Sequence, residues 1–226
     1  MNDQESVQLI SYGKLKGEVT LGFAALDKLQ AGKRLFAKDA LLWKSEPEHI
    51  KSINNRLGWL ILPDNIEQKA RELDEFTKQI IAEGYQYAVL LGMGGSSLCS
   101  EVARDTFGKV DGFLELLVLD DTDPDAIKHL EVQIDLAKTL FIVASKSGGT
   151  AETLSFYKYF YNLVEARLKE RTGNNFIAIT DAATQLVKIG EDHKFRKVFI
   201  NPGDIGGRYS VLSDFGLVPM ALMGVD

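Results

Sequence analysis

From Gly84 onward the chain alternates short, continuous apolar runs with longer stretches whose apolar residues return every three or four positions. Tyr87 to Leu91 (YAVLL), Leu114 to Leu119 (LELLVL), Thr139 to Ala144 (TLFIVA), Phe176 to Thr180 (FIAIT) and Val198 to Asn201 are the five runs. Runs this short with no polar alternation fit strands buried on both faces. The intervening stretches read as helices: Ser97 to Phe107, Asp123 to about Val132, Ala151 to Arg171, and Ala182 to Gly190. Asp123-Pro124 supplies a cap followed by a proline at the first helical position. In the longest helix Leu154, Tyr157, Tyr161, Val164 and Leu168 form one stripe, with Lys158, Glu165, Lys169 and Glu170 mostly off it. Strand and helix in alternation predict an α/β fold, a doubly wound five-stranded parallel sheet covered on both faces.

The flanks have a different texture. Residues 1–62 suggest short helices at Leu21 to Leu29, Gly32 to Leu42 and Pro47 to Leu57, anchored by Trp43, Trp59 and Leu60, while Tyr12 to Thr20 fits an extended arm equally well. Pro63-Asp64-Asn65-Ile66-Glu67 has the form of a helix start with Asp64 as cap, and its helix runs to a stop near Gly84. The expected organisation is a helical N-terminal extension over 1–83, a sheet domain over 84–201, and a tail over 202–226 that begins a new unit. Phe215 to Val225 is apolar with nothing following to pack it, as expected of the truncated start of a further domain or of a surface that meets a partner.

Composition narrows the function classes. A formal net charge of −6 disfavours nucleic acid or an anionic membrane as a partner held by bulk electrostatics, so an anion site must be local. Cys99 is the single cysteine, and His49, His129 and His193 stand apart from one another. These exclude an internal disulfide and a cysteine cluster for zinc and argue against a metal centre, leaving the histidines as structural or solvated residues. The N-terminus, MNDQESVQLI, has no basic segment followed by an apolar core, and no run approaches a membrane span, so cytoplasm is the default compartment.

Two loops carry the candidate chemistry. Strand three passes through Ser145-Lys146-Ser147-Gly148-Gly149-Thr150 into its helix, and strand one through Gly92-Met93-Gly94-Gly95-Ser96-Ser97 into the next. Glycine lets backbone approach a ligand closely, hydroxyls donate to it, and a helix N-terminus presents free amides and partial positive charge. A phosphate monoester suits that combination. The simpler reading is ordinary connections with Thr150 or Ser147 as caps. A nicotinamide fingerprint fits poorly, since the register from Gly92 reads G-x-G-x-x-S and Asp120-Asp121 lie too far on. A phosphate loop of the Gly-Lys-Ser/Thr type is absent. In an open parallel sheet of order 2-1-3-4-5 the ligand crevice lies between strands one and three, and these are the strands that bear the two loops.

At these residues the chain resembles the glucose-6-phosphate isomerase family. GMGGSSL (92–98) is similar to the family's glycine-serine loop, SKSGGTAET (145–153) to its phosphate-binding signature, and GGRYS (206–210) to the segment joining its two sugar-isomerase (SIS) domains; Cys99 departs from the usual glycine. The likeness covers about residue 60 to the C-terminus, and LISYGKLKGEV resembles the entry to the isomerase part of fused transaldolase/isomerase proteins. The resemblance implies a flavodoxin-like sheet of order 2-1-3-4-5 and interconversion of glucose 6-phosphate and fructose 6-phosphate through a cis-enediol, in glycolysis and gluconeogenesis, without metal or redox cofactor. It implies that Ser145, Lys146, Ser147 and Thr150 hold the phosphate, that Gly94, Gly95 and Ser96 contact the sugar, and that Arg208 stabilises the enediolate. It places the base, the ring-opening histidine and a lysine in a second SIS domain, the expected partner alongside a homodimer of the full-length protein. Glu152 then serves the helix dipole or pairs with Arg208. Alternatives are a non-catalytic sugar-phosphate-binding regulatory module and an isomerase of another phosphosugar.

Overall fold

A computed structural model describes residues 11–225 and divides at Asn54/Asn55 into two compact units. The first unit holds α1 (Lys16–Lys28), α2 (Ala31–Phe36) and α3 (Pro47–Asn54), with a 3-10 turn at Ala40–Leu42. Of the two conformations open to Tyr12 to Thr20, the structure takes the helical one, from a 3-10 turn at Gly13–Leu15 into α1. Trp43, expected as an anchor, is 45 % exposed.

The second unit begins with a 3-10 segment, Gly58–Asn65, and α4 (Ile66–Ala82). Asp64 is not the cap of this helix. It lies inside the 3-10 segment, and Asn65 takes the capping position without a side-chain bond. There follow β1 (Tyr87–Gly92), α5 (Leu98–Phe107), β2 (Glu115–Leu119), α6 (Pro124–Gln133), β3 (Thr139–Ala144), α7 (Ala151–Leu168), β4 (Phe176–Asp181), α8 (Gln185–Asp192), β5 (Lys197–Asn201) and α9 (Asp214–Met223). Differences from the expected boundaries have local causes. α7 ends three residues early where Lys169 turns into positive φ (54°) and a 3-10 stretch takes over, and α8 starts late because Ala183 sits at φ 58°. Asp123 caps α6 as expected, accepting from the Asp125 amide at 2.8 Å.

The sheet is all parallel with order β2-β1-β3-β4-β5. Alternate residues of each strand point to opposite faces, so one strand feeds two cores. Ala88 and Leu90 of β1, Ile142 of β3 and Ile177 of β4 meet Leu73, Phe76 and Ile80 of α4 and Phe215, Val218 and Leu222 of α9. Val89 and Leu91 of β1, Phe141 and Val143 of β3 and Phe176 of β4 meet Phe156, Phe160 and Val164 of α7 and Leu186 of α8. The sheet and its two helical faces therefore form three layers.

The apolar tail, expected to lie unpacked as a truncated unit or a partner surface, is instead covered within this chain. Phe215 to Val225 folds against the sheet of this chain as α9, with Phe215, Val218, Leu222 and Met223 at most 2 % exposed. Burying side chains of that size is worth about 1.5–3 kcal/mol each, enough to explain why α9 closes this face. Leu73 and Ile80 likewise bind α4 to the same core.

Candidate functional site

The sheet order decides where the two loops lie. β1 pairs with β3 in register up to Gly92↔Ala144, so the loop after each strand leaves the same edge of the sheet from adjacent points. α5, which follows β1, covers one face and α7, which follows β3, the other. In an open parallel sheet such a divergence, at the switch in strand order, is where ligands collect. Gly92 is tight there. An added Cβ would stand 3.2 Å from the Ser96 carbonyl and 3.3 Å from that of Ala144.

In the loop after β3, the Ser145 amide donates to the Ile179 carbonyl at 3.0 Å, continuing the β3–β4 ladder for one residue. A turn follows in which the Gly148 amide donates to the Ser145 carbonyl at 3.1 Å, with Gly148 at φ 66°. The Ser145 and Thr150 hydroxyls share a hydrogen bond of 2.9 Å, which ties the two ends of the loop together. Thr150 occupies the N-cap of α7 but makes no side-chain bond to the first-turn amides. Those amides are therefore left for another acceptor, contrary to what a plain cap would give. Ser147 and Gly149 are exposed, and nothing lies within 4 Å of a Cβ built on Gly149.

Lys146 takes another direction. Its ammonium donates to Asp181 Oδ2 and, at 3.0 Å, to the Gly203 carbonyl. Asp181 ends β4 and returns a backbone bond, its amide donating to the Lys146 carbonyl at 3.2 Å. The other carboxylate oxygen of Asp181 is buried without a hydrogen-bond partner.

In the loop after β1, Gly94 adopts φ 56° and a 3-10 turn, Gly94–Ser96, leads to Ser97. Ser97 is buried, and its hydroxyl lies 3.2 Å from both the Gly94 carbonyl and Asp120 Oδ2. Gly95 is required by its neighbour. A Cβ there would come within 2.7 Å of the Gly207 carbonyl oxygen and 3.0 Å of Gly207 Cα. The Ser210 hydroxyl donates toward the Gly95 and Gly207 carbonyls (3.2 and 2.7 Å), and Ser213 donates to the Ser210 carbonyl at 2.6 Å. The fold thus seats the GGRYS segment on the first glycine loop, and Tyr209 stacks on Trp59 at 5.5 Å.

Arg208 is exposed at the rim of a cavity of about 730 Å³ shared with Gly94, Gly95 and the apolar residues Leu98, Val102, Phe107 and Val211. Ser145 to Thr150 do not line that cavity. Glu152 lies in the first turn of α7, and among the described residues no ion pair joins it to Arg208. Cys99, half-buried beside the cavity, has its thiol pKa pushed up by burial. Among the described residues there is no group of three or more His, Cys, Asp or Glu suited to a metal ion, and no helix long and apolar enough to cross a membrane.

The sequence profile of the Phosphoglucose isomerase family matches residues 66–226. The chain belongs to the phosphoglucose isomerase family. Glucose-6-phosphate isomerase of Thermus thermophilus is 31% identical over 202 residues, covering 87% of this chain and 44% of that protein. The enzyme of the same name from Campylobacter jejuni is 35% identical over 139 residues, 61% of this chain and 34% of its own length. A crystal structure of a hypothetical protein from Thermus thermophilus superposes with a TM-score of 0.74 at 30% identity, over 92% of this chain and 46% of that one. The chain spans less than half the length of these phosphoglucose isomerase relatives. The match includes both glycine loops and the GGRYS segment but begins after the first unit.

Asp181, Ser97 and Ser210 were not singled out by sequence reasoning, and Asp120 was weighed only as the acid of a nicotinamide fingerprint. Asp120 and Asp181 did carry a signal, since each stands at the carboxyl end of a strand in a parallel sheet, where ligands and their supporting groups collect. Ser97 and Ser210 had none beyond lying inside a recognised motif.

Proposed function

We propose that this chain is the phosphate-binding part of a glucose-6-phosphate isomerase and takes glucose 6-phosphate or fructose 6-phosphate at the β1–β3 edge. The observation that carries this reading is the pairing Gly92↔Ala144, from which the two hydroxyl-glycine loops leave adjacent strand ends side by side. The Ser145, Ser147 and Thr150 hydroxyls and the open amides of α7 receive the phosphate, which a fixed positive helix end favours. Gly94, Gly95 and Ser96 border the sugar, and Arg208 supplies positive charge where an enediolate forms between C1 and C2.

In the whole enzyme the sugar ring opens and a proton moves between C1 and C2. The carboxylate that carries this proton belongs to the part of the family's fold this chain does not match. A protein partner for this edge, a second SIS domain and a homodimer, is supported by the exposed apolar row of Leu98, Val102 and Phe107, which are 60 %, 56 % and 59 % exposed. The setting of the reaction is glycolysis and gluconeogenesis in the cytoplasm, with no cofactor.

Calorimetric titration tests the reading. The chain should bind fructose 6-phosphate, and the open-chain acid 5-phosphoarabinonate more tightly, because a site built around an enediolate prefers its mimic. Equal affinity for the two, or no binding of either at millimolar concentration, overturns it.

A further inference from the structure

Lys146 lies between two of the hydroxyls proposed to hold phosphate, yet its ammonium is committed elsewhere. Asp181 closes β4 and Gly203 follows β5, and both strands lie on the side of β3 away from β1. The charge therefore sits over the β4 and β5 ends and not over the β1–β3 crevice. Moving it to a phosphate would strip Asp181 Oδ2 of its cation while Oδ1 is already buried without a partner. An uncompensated carboxylate in a site only 20 % exposed opposes that move.

The partners of Lys146 have a common property. Gly203 lies three residues before Gly206-Gly207-Arg208, and Gly207 is the backbone against which Gly95 packs. A continuous set of contacts therefore runs from the loop after β3, through Lys146 and Asp181, to the Gly203 carbonyl, and on to the segment that carries Arg208 and rests on the first loop. We propose that Lys146 is a positioning residue and not a phosphate ligand: paired with Asp181, it locks the phosphate loop to the Arg208 segment and fixes the distance between the two ends of the substrate site. The ligand half of this inference rests on the function proposed above.

The test compares Lys146→Met, Asp181→Asn and the double variant with the parent chain, using calorimetry with inorganic phosphate and amide hydrogen exchange resolved by segment. The lock requires both single variants to weaken phosphate binding to a similar degree, with the double variant no worse than either. It also requires exchange to accelerate roughly ten-fold or more in both 147–150 and 203–208 while the β1 and β3 amides keep their protection, a pattern that general destabilisation does not produce. Phosphate binding that is kept or strengthened in Asp181→Asn but lost in Lys146→Met overturns the proposal, because that is how a direct ligand released from a competitor behaves. Should the parent chain bind no phosphate, the proposed function fails, and the exchange measurement still decides the lock. Unchanged 203–208 protection in Lys146→Met refutes it.

Discussion

Gly149→Ala separates a glycine kept for a ligand from a glycine kept for the fold. Gly149 is exposed, its φ lies outside the left-handed region, and a Cβ there meets no atom within 4 Å. The protein itself has no use for the missing side chain. Thermal stability should therefore hold, or rise by about 0.4–1 kcal/mol from the reduced freedom of the unfolded chain. A phosphate seated against the loop would meet the new methyl group. Losing one charge-assisted hydrogen bond costs about 1.5–3 kcal/mol, or roughly ten- to a hundred-fold in affinity. Calorimetry with inorganic phosphate and fructose 6-phosphate, run beside a thermal melt, reads both quantities on one variant. Unaltered affinity with an unaltered melt would show that no anion approaches the loop at Gly149, and the phosphate assignment would lose its geometric basis.

Gly148→Ala should do the opposite to stability, since Gly148 combines φ 66° with a Cβ position 2.5 Å from Thr184 Cβ. Overpacking of this kind costs about 1–3 kcal/mol, a fall in melting temperature of roughly 2–12 °C for a protein of this size. Gly95→Ala pushes against the Gly207 backbone and should displace the Arg208 segment, reducing affinity for fructose 6-phosphate more than for inorganic phosphate; amide shifts confined to 94–97 and 206–210 would verify the route. Away from the site, the Arg196 guanidinium beside Glu83 (2.7 and 3.0 Å) holds the Glu83 carboxyl below its ordinary pKa. A carboxyl depressed in the folded state stabilises the protein above its unfolded value and stops doing so as pH falls through the folded one. Glu83→Gln should accordingly lower stability at neutral pH and flatten the acid limb of a stability profile below about pH 4.5, read by denaturant melts across pH.

The sheet was legible because each strand carries its own signal. A run such as TLFIVA, apolar at nearly every position, can satisfy both faces of a sheet only from the centre of one, and β3 occupies that place with all six residues buried. The two loops were legible for a similar reason: glycine, serine and threonine between a strand and a helix have local conformational meaning before any long-range contact forms. Asp64 misled because Asp-x-x-Glu is a statement about propensity, and the 3-10 packing of Gly58–Asn65 overrode it.

The amino-acid order by itself determined the alternation of elements, the glycine-hydroxyl make-up of the loops at residues 92–97 and 145–150, and the family motifs, since all of these depend on neighbours within a few residues. Tertiary structure decided the rest. Whether α9 is core, which way the Lys146 charge faces, that Asp181 receives it, and that Gly207 closes on Gly95 all depend on strands distant in sequence becoming adjacent in the sheet. A side chain's partner is chosen by that adjacency, and periodicity along the chain carries no record of it.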